Sequence, residues 1–470
     1  MNSFHLGFYM KIVRFFLFCF AWLLPIVVSA EDRPPNFVVI FCDDLGYADL
    51  GCFGAKQIKT PNIDRMAAEG MRLTSFYSTC SVCSPSRSSL LTGCYPRRVN
   101  MHVNHNNLCV LFPADRKGLN PEETTIAETL KAKDYATICV GKWHVGDHPN
   151  FLPHKQGFDS YFGIPYSNDM NRKEVPLPLL RNERVIESPV DQPMLTPRYT
   201  KEVVSFIYKN KDKPFLVYLP HTFPHVPLFA SSRFKGKSER GRYGDTIEEI
   251  DWSTGEILKA LKDTGVDEHT LVLFTSDNGS QQKGSNYPLR GQKGQTWEGG
   301  QRVPCVVRWP GKIPEGSESS EILSTLDLLP TFAKLAGVSL PEKTIDGHDA
   351  SNILLGEKKA KSKHEAFYYY QMDQLQCVRS GKWKLHLALD SKKRNWGKPE
   401  EKKPQQLFDL ENDVGESTDV SSDQPEVVKR LLALAEKARA ELGDVGRPGK
   451  GQREAGLVEK ASPRLLQVPN

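Results

Sequence analysis

Short apolar runs separated by polar segments predict buried strands along the first two thirds of the chain. The runs are rich in Val, Ile and Phe and cover 37–42, 136–140, 215–219, 271–275 and 303–309. Segments with helical spacing lie between them; in 246–261, apolar residues recur every three or four positions. Because strands that alternate with helices form crossover units, we predict an α/β fold with a large, mixed, mostly parallel sheet covered by helices on both faces.

After about residue 360 the pattern changes to that of an antiparallel sheet. Runs at 367–370, 377–385 and 406–410 are separated by turn residues. A helix follows, with Pro425 near its first turn and Gly443 at its end. We therefore predict a large α/β domain that carries the functional site over 31–360, a small C-terminal α+β domain over 361–446, and a flexible tail over 447–470.

Charged or imidazole side chains directly follow four of the predicted strands. In chain order they are Asp43 and Asp44, Lys142 and His144, His221 and His225, and Asp277 and Asn278. The carboxyl ends of parallel strands lie at one edge of a sheet, where binding sites form. We therefore expect these residues to converge.

Two of these strand ends offer only oxygen ligands. Asp43, Asp44, Asp277 and Asn278 suit calcium or magnesium better than zinc, which prefers His and Cys. Three carboxylates crowded together without a cation would repel one another strongly. For any one Asp alone, a turn or a helix cap is the simpler interpretation, but two adjacent pairs at strand ends favour a divalent metal.

The first thirty residues have the pattern of an export signal. Lys11 and Arg14 precede an apolar run over 15–28, and Val28-Ser29-Ala30 forms a small-residue cleavage site. We predict a signal peptide over 1–30 and an exported protein, periplasmic or secreted, with no stable membrane span after cleavage. An uncleaved anchor helix is the alternative, although the run is shorter than the ~20 residues that a bilayer requires. Met10 is a second plausible start of translation.

Composition and charge exclude several classes of protein. Of the 470 residues, 39% are hydrophobic and 25% are charged, which is typical of a globular protein and argues against disorder. The net charge is only +5 and the basic residues are scattered, so no nucleic-acid partner is expected. We expect the Lys-rich stretches at 358–363 and 392–403 to be solvated loops.

The number and spacing of the cysteines fit more than one role. Ten are present, and nine remain after removal of the signal, an odd number for an exported chain. Cys80 and Cys83 have the Cys-x-x-Cys spacing of redox and zinc sites. A zinc ribbon would need a second such pair, and the sequence has none.

The segment Cys83-Ser84-Pro85-Ser86-Arg87, continuing to Thr92-Gly93, matches the signature of type I sulfatases, whose cysteine is converted to formylglycine. The chain resembles this family, part of the alkaline phosphatase superfamily, from about residue 35 to 442. It is most similar to the branch of arylsulfatase A and N-acetylgalactosamine-6-sulfatase. Further similarity lies at 141–144, 163–167, 240–245 and 293–300.

The resemblance implies a site and a mechanism. Asp43, Asp44, Asp277 and Asn278, with the converted Cys83, would hold one calcium ion. Cys83 as formylglycine would be the nucleophile, made by a formylglycine-generating maturation enzyme. Arg87 and Lys142 would orient the nucleophile, and His144 would contact its hydroxyl. Lys293 and His225 would flank the sulfate, with His225 as the acid that protonates the leaving group. Ser167 would lie near the sulfate.

The substrate implied by this branch is a sulfated sugar, such as a galactose or N-acetylgalactosamine sulfate, or an aryl sulfate. Two alternatives stay open: a phosphodiesterase or phosphonate hydrolase of the same superfamily, and a non-catalytic glycan-binding homologue with an unmodified Cys83. Loop residues that could touch sugar are Arg97, Arg98, His102, Asn104 and Asn106. The sequence does not indicate an oligomeric state.

Overall fold

The structure is a computed structural model that describes residues 33–466. The predicted signal peptide, 1–30, lies outside the described residues. The strands are β1 Asn36–Cys42, β2 Met71–Leu73, β3 Phe76–Tyr77, β4 Lys117–Gly118, β5 Ala136–Val140, β6 Ser160–Gly163, β7 Leu179–Arg181, β8 Arg184–Glu187, β9 Phe215–Pro220, β10 Thr270–Ser276, β11 Val306–Arg308, β12 Ser317–Ser319, β13 Leu323–Ser324, β14 Phe367–Gln371, β15 Gln374–Ser380, β16 Trp383–His386, β17 Gln406–Asp409 and β18 Gly456–Leu457. The helices are α1 Pro61–Ala68, α2 Cys83–Thr92, α3 Ile126–Lys131, α4 Leu195–Asn210, α5 Gly241–Asp263, α6 Glu298–Gln301, α7 Leu328–Ala336, α8 Ser351–Leu354 and α9 Pro425–Leu442.

A ten-stranded mixed sheet in the order β12-β2-β11-β10-β1-β9-β5-β6-β7-β8 organises the larger part of the chain. Its centre, from β10 to β6, is parallel, as predicted. All seven residues of β1 are buried, because both faces of the sheet are covered, and this explains the unbroken apolar run. The predicted strand 303–309 is wrong in extent: β11 is shorter and antiparallel to β10. Pro304 has no N–H with which to extend the ladder.

Successive residues of β1 face two different cores. Val38 and Ile40 pack in the core that includes α1, α4 and α5, whereas Phe37 and Val39 pack in the core that includes α2, α3 and α7. This alternation is the period-two geometry of a strand. It confirms the prediction of a sheet sandwiched by helices. The predicted helix 246–261 is part of α5, which begins five residues earlier.

A separate four-stranded antiparallel sheet, β14-β15-β16-β17, lies in the C-terminal part, as predicted. Helix α9 packs on it, with Leu431 and Leu434 in a third core. The Phe367 ring of β14 lies 4.9 Å from the Tyr77 ring of β3, centroid to centroid. From Pro34 onward the chain forms one compact unit. The predicted boundary at residue 360 falls between α8 and β14, ahead of the four-stranded sheet.

Part of the segment predicted to be a flexible tail, 447–470, forms backbone and side-chain contacts with the rest of the protein. Strand β18 pairs antiparallel with β4. The Arg453 guanidinium forms a salt bridge with Glu123 at 2.7 Å, and its backbone N–H donates to the Arg98 carbonyl. Backbone pairing and single ion pairs leave no hydrophobic periodicity, so the sequence pattern did not reveal them. In the part of the chain that the structure describes, no helix is both long and apolar enough to cross a membrane.

Candidate active site

The ends of β1 and β10 bring four oxygen-bearing side chains together. These strands are parallel neighbours with Cys42 opposite Ser276, so Asp43 and Asp44 emerge beside Asp277 and Asn278. The Asp44 N–H donates to Asp277 Oδ1 at 3.1 Å, and Asn278 Nδ2 donates to Asp44 Oδ1 at 2.7 Å. Asp44 has a φ of 66°, a left-handed conformation that Asp tolerates better than most residues. All four side chains are buried.

Three buried cations neutralise the three carboxylates. Arg87 donates to Asp277 Oδ2 from Nε and a terminal nitrogen, at 3.2 and 2.8 Å. Lys142 Nζ donates to Asp43 Oδ2 at 2.6 Å, and Lys293 Nζ lies 2.7 Å from Asp44 Oδ1. Each carboxylate thus has its own cation in a site shielded from water, where charge interactions are strong.

The carboxylates nevertheless perturb one another. Burial raises the pKa of Asp43, but the positive charges of Lys142, His225 and Arg87 lower it by more, so this pKa lies well below its usual range. Burial and the negative charge of Asp43 raise the pKa of Asp277 to about 7, despite Arg87. A further positive charge between these carboxylates would relieve that repulsion.

The donor atoms fit a hard divalent cation. Asp43 Oδ1 and Asn278 Oδ1 are buried without a hydrogen-bond partner in the described chain. Ligand atoms of Asp43, Cys83 and Asp277 lie within 4.8 Å of one another, and so do those of Asp43, Asp44 and His225. Oxygen-rich ligand sets of this kind suit calcium or magnesium.

Cys83 is the first residue of α2, and its side chain reaches the same carboxylates. Burial raises the pKa of the Cys83 thiol, and the charges of Lys142 and Lys293 only partly oppose this. The unmodified residue is therefore a neutral thiol. Arg87 lies four residues later on the same face of the helix, which explains why one short helix supplies both groups. All nine cysteines in the described part are free thiols.

The segment after β5 supplies Lys142 and His144. Arg87 donates to the Lys142 carbonyl at 2.7 Å, and Lys142 Nζ also donates to Ser167 Oγ at 3.2 Å. The Nε2 atom of His144 is 3.0 Å from the Leu111 carbonyl, while Nδ1 is buried without a partner. Burial and the charge of Lys142 lower the pKa of His144, so its imidazole is neutral.

The two histidines after β9 differ. His225 Nε2 lies 3.7 Å from Asp44 Oδ2, and Nδ1 lies 3.2 Å from Asn168 Oδ1. Burial and the charge of Lys293 lower the pKa of His225. His221 is fully buried, neither ring nitrogen has a hydrogen-bond partner in the described residues, and burial lowers its pKa to about 3. His225 therefore faces the site, and His221 is a neutral packed side chain.

Three of the five loop residues that could touch sugar form interactions within the protein. Arg98 forms salt bridges with Asp346 and Glu441, and Arg97 donates to the Leu442 carbonyl. The Asn104 side-chain oxygen accepts two backbone N–H groups of its own loop. The contacts of Arg97 with Leu442 and of Arg98 with Glu441 tie the loop to α9.

A buried charge network that the sequence analysis missed anchors the segment carrying Lys293. Glu298, in α6, accepts hydrogen bonds from Tyr369 and from Lys384 of the C-terminal sheet. Glu416 accepts from Lys384 at 2.9 Å, from His386 at 2.8 Å and from the Glu298 N–H at 2.7 Å. The similarity at 293–300 pointed to this segment without indicating what holds it.

Comparison with known proteins decides the family. A family model described as Sulfatase matches residues 35–338, and one described as N-sulphoglucosamine sulphohydrolase, C-terminal, matches residues 292–441. The chain belongs to the sulfatase family. Arylsulfatase A of Homo sapiens is 39% identical over 450 residues, covering 86% of this chain and 88% of the relative. N-acetylgalactosamine-6-sulfatase of Canis lupus familiaris is 38% identical over 395 residues, covering 78% and 75%.

The fold of this sulfatase agrees with solved structures of the same superfamily. A structure from work on glycosaminoglycan metabolism by Bacteroides thetaiotaomicron superposes with a TM-score of 0.77 at 29% identity, covering 87% of this chain and 99% of the other. The resemblance inferred from the Cys83 signature is thereby confirmed, as is the expectation of a sulfatase enzyme.

Proposed function

We propose that this sulfatase removes sulfate from a sulfated saccharide, with Cys83 as its nucleophile after conversion to formylglycine. The position of Cys83 carries the proposal, because its side chain lies within ligand distance of Asp43 and Asp277 at a helix N-terminus. Similarity to N-acetylgalactosamine-6-sulfatase favours a galactose or N-acetylgalactosamine sulfate. Export and a formylglycine-generating maturation enzyme belong to the same proposal.

A buried neutral thiol is poorly suited to this reaction, because a sulfate held on sulfur would have no built-in route of release. One hydroxyl of the hydrated aldehyde attacks sulfur and displaces the saccharide oxygen, which leaves as the alcohol. The second hydroxyl then loses its proton and expels sulfate as the aldehyde re-forms. The surrounding residues must therefore bind the sulfate anion and transfer protons to and from the reacting oxygens. Nothing else in the site has to form a covalent bond.

Arg87, Lys142 and Lys293 are suited to stabilising charge on the sulfate oxygens. All three are buried and fixed by carboxylates, so they need little reorganisation when charge develops. Preorganised donors of this kind can each contribute ~3–4 kcal/mol to transition-state binding. Ser167, which accepts from Lys142, would help to keep that ammonium aimed at the sulfate.

His225 is suited to protonating the leaving oxygen. Its Nδ1 is held by the Val226 carbonyl and by the Asn168 side-chain oxygen, which leaves Nε2 facing the site. The pKa of His225 is lowered in the free protein, but the negative charge of a bound sulfate ester would raise it and favour the proton-carrying form. His144 would contact the hydroxyl of the nucleophile through its unpartnered Nδ1.

Asp43, Asp44, Asp277 and Asn278 would hold a calcium ion together with the converted Cys83. The ion would lower the pKa of the attacking hydroxyl and bind sulfate oxygens. The two unpartnered oxygens on Asp43 and Asn278 support this assignment.

Comparing turnover of nitrophenyl sulfate with that of bis(nitrophenyl) phosphate tests the proposal, with Cys83→Ala as the inactive variant and Cys52→Ala as the control. We expect turnover of the sulfate, its loss in Cys83→Ala and its retention in Cys52→Ala, which lies in a separate half-buried position. Preferential turnover of the phosphodiester would assign the site to a phosphohydrolase. Undiminished binding of sulfated sugar without any turnover would indicate a non-catalytic homologue.

A further inference from the structure

A basic cavity adjoins the candidate active site. Its volume is about 430 Å³, and it lies between the segment 281–297 and the loop 391–400 of the C-terminal sheet. Lys293 lines it, so it opens directly beside the carboxylates. The charged residues around it are Lys283, Lys293, Lys392, Lys393, Arg394 and Glu400, which leave a net of four positive charges.

Lys293, Lys393 and Arg394 have carboxylate partners, whereas Lys283 and Lys392 form no salt bridge within the described residues. Lys393 Nζ donates to Asp373 at 2.6 Å, and Arg394 Nε lies 3.9 Å from Glu400. In the described part of the chain Lys392 forms no salt bridge, and its Nζ lies 5.4 Å from the centroid of the Trp297 ring. Lys392 and Glu400 exchange two backbone hydrogen bonds, at 3.0 and 2.8 Å, which fix the loop. The Lys-rich stretch expected to be a solvated loop therefore carries, on a backbone fixed by hydrogen bonds, a Lys392 ammonium that no carboxylate neutralises.

An aromatic ring lines the cavity near Lys293. Trp396 is 48% exposed, and Lys293 Nζ lies 6.0 Å from its ring centroid. The ring lies against Gly294, where a Cβ would come within 2.6 Å of it, so a glycine is needed for this contact. Both polar side-chain atoms of Asn395 are buried without a partner in the described residues. An exposed indole face next to unpaired donors and cations suits a sugar ring that carries an anionic group.

We propose that this cavity is a second saccharide subsite, which binds an additional anionic group of the substrate through Lys392 and a sugar ring on Trp396. The proposal rests on the proposed function, because Lys293 is shared by the cavity and the sulfate site. The substrate class would then be a saccharide with at least two anionic groups. The second anion could be a sulfate ester or a carboxylate, since both offer the oxygens that an ammonium binds.

Titration calorimetry with small defined saccharides tests the subsite without requiring turnover. Sucrose octasulfate, trigalacturonate and neutral maltotriose would be titrated into the wild-type protein and into Lys392→Ala and Trp396→Ala. Lys398→Ala is the matched control, since Lys398 is exposed on the same loop but does not line the cavity. Thermal unfolding of each variant would verify that it is folded.

We expect anionic saccharide to bind about fivefold more weakly to each of the two cavity variants, and equally to Lys398→Ala. Maltotriose should bind far more weakly than the anionic saccharides. Loss with sucrose octasulfate alone identifies sulfate as the second anion, and loss with trigalacturonate as well admits carboxylate. Absence of anionic binding, or equal binding to all four proteins, would overturn the subsite. Turnover of nitrophenyl sulfate by the wild type is measured in a separate assay, which tests the proposed function independently of the subsite.

Discussion

Lys142 Nζ donates to Asp43 Oδ2 at 2.6 Å, and both side chains are completely buried. The pair links the end of β5 to the end of β1 and fixes the Asp43 carboxylate, whose other oxygen, Oδ1, accepts no hydrogen bond and lies 3.6 Å from a terminal nitrogen of Arg87. The same ammonium reaches Ser167. One side chain therefore holds Asp43 in place and, under the proposed function, would also bind the sulfate.

Replacing Lys142 by Met should impair folding and catalysis together. Removing one partner of a buried pair leaves an uncompensated charge and costs about 3–5 kcal/mol. Urea unfolding in metal-free buffer measures this loss, and turnover of nitrophenyl sulfate should fall at least ~100-fold. In the control, Lys131→Met removes an exposed ion pair with Asp159 and should cost no more than ~1 kcal/mol. Equal effects of the two substitutions would contradict the importance of burial.

Gly141 should not tolerate a side chain. Its φ is 132°, and a Cβ there would lie 1.9 Å from the Pro220 carbonyl oxygen. We expect Gly141→Ala to lower the free energy of unfolding by roughly 3 kcal/mol and to displace Lys142, the next residue. Gly236→Ala is the control, since its φ is 74° and nothing lies within 4 Å of the added Cβ. It should cost about 1–2 kcal/mol, and a larger loss there than at Gly141 would refute this explanation.

Calcium should stabilise the folded protein. A ligand present at 100 times its dissociation constant stabilises by about 2.7 kcal/mol. Differential scanning calorimetry should show a higher melting temperature with added calcium and a lower one with EGTA. Asn278→Ala should lose most of this response, whereas Asn412→Ala, at an exposed turn, should keep it. If the melting temperature of the wild type does not change with calcium, the assignment of these residues as calcium ligands would be contradicted.

Glu416 should stabilise the fold in a pH-dependent way. Burial raises its pKa, but Lys384 and His386 lower it by more, to about 2, from 4.5. The folded carboxyl thus binds its proton less readily than the unfolded one, so its contribution is complete above about pH 4.5 and is lost as the pH falls towards 2. Glu416→Gln should cost about 3 kcal/mol at pH 7 and progressively less below pH 4.5.

Urea unfolding at several pH values measures the effect of Glu416→Gln. Glu411→Gln provides the control, because the Glu411 side chain is 71% exposed. It should change stability little at any pH. A cost for Glu416→Gln that does not shrink in acid would mean that packing, not charge, makes the glutamate important.

The strand ends could be predicted because buried parallel strands leave long apolar runs, and the residues after them are polar. The runs before Asp43 and Asp277 sufficed to place those two residues at one sheet edge. The pairing of Lys293 with Asp44 could not be derived in this way, since 249 residues separate them and no local pattern joins them. Only the family resemblance brought Lys293 to the site.

Other features depended on contacts that leave no local pattern. Lys392 belongs to a basic stretch that looks like any solvated loop, and only the folding of the loop 391–400 brings it to the cavity that Lys293 also lines. Arg453 lies in a segment rich in Gly and charge, yet its salt bridge with Glu123 helps to tie that segment down. In both cases the position of the side chain depends on neighbours that are distant in sequence.

The mass of the tryptic peptide that contains Cys83, measured on protein of known specific activity, tests most directly whether Cys83 acts as a formylglycine nucleophile. Preparations made with different amounts of a formylglycine-generating enzyme would supply a range of conversion. We expect the thiol to be replaced by an aldehyde and nitrophenyl sulfate turnover to rise in proportion to the converted fraction. Full activity from protein with an intact Cys83 thiol, or none from fully converted and calcium-loaded protein, would contradict it.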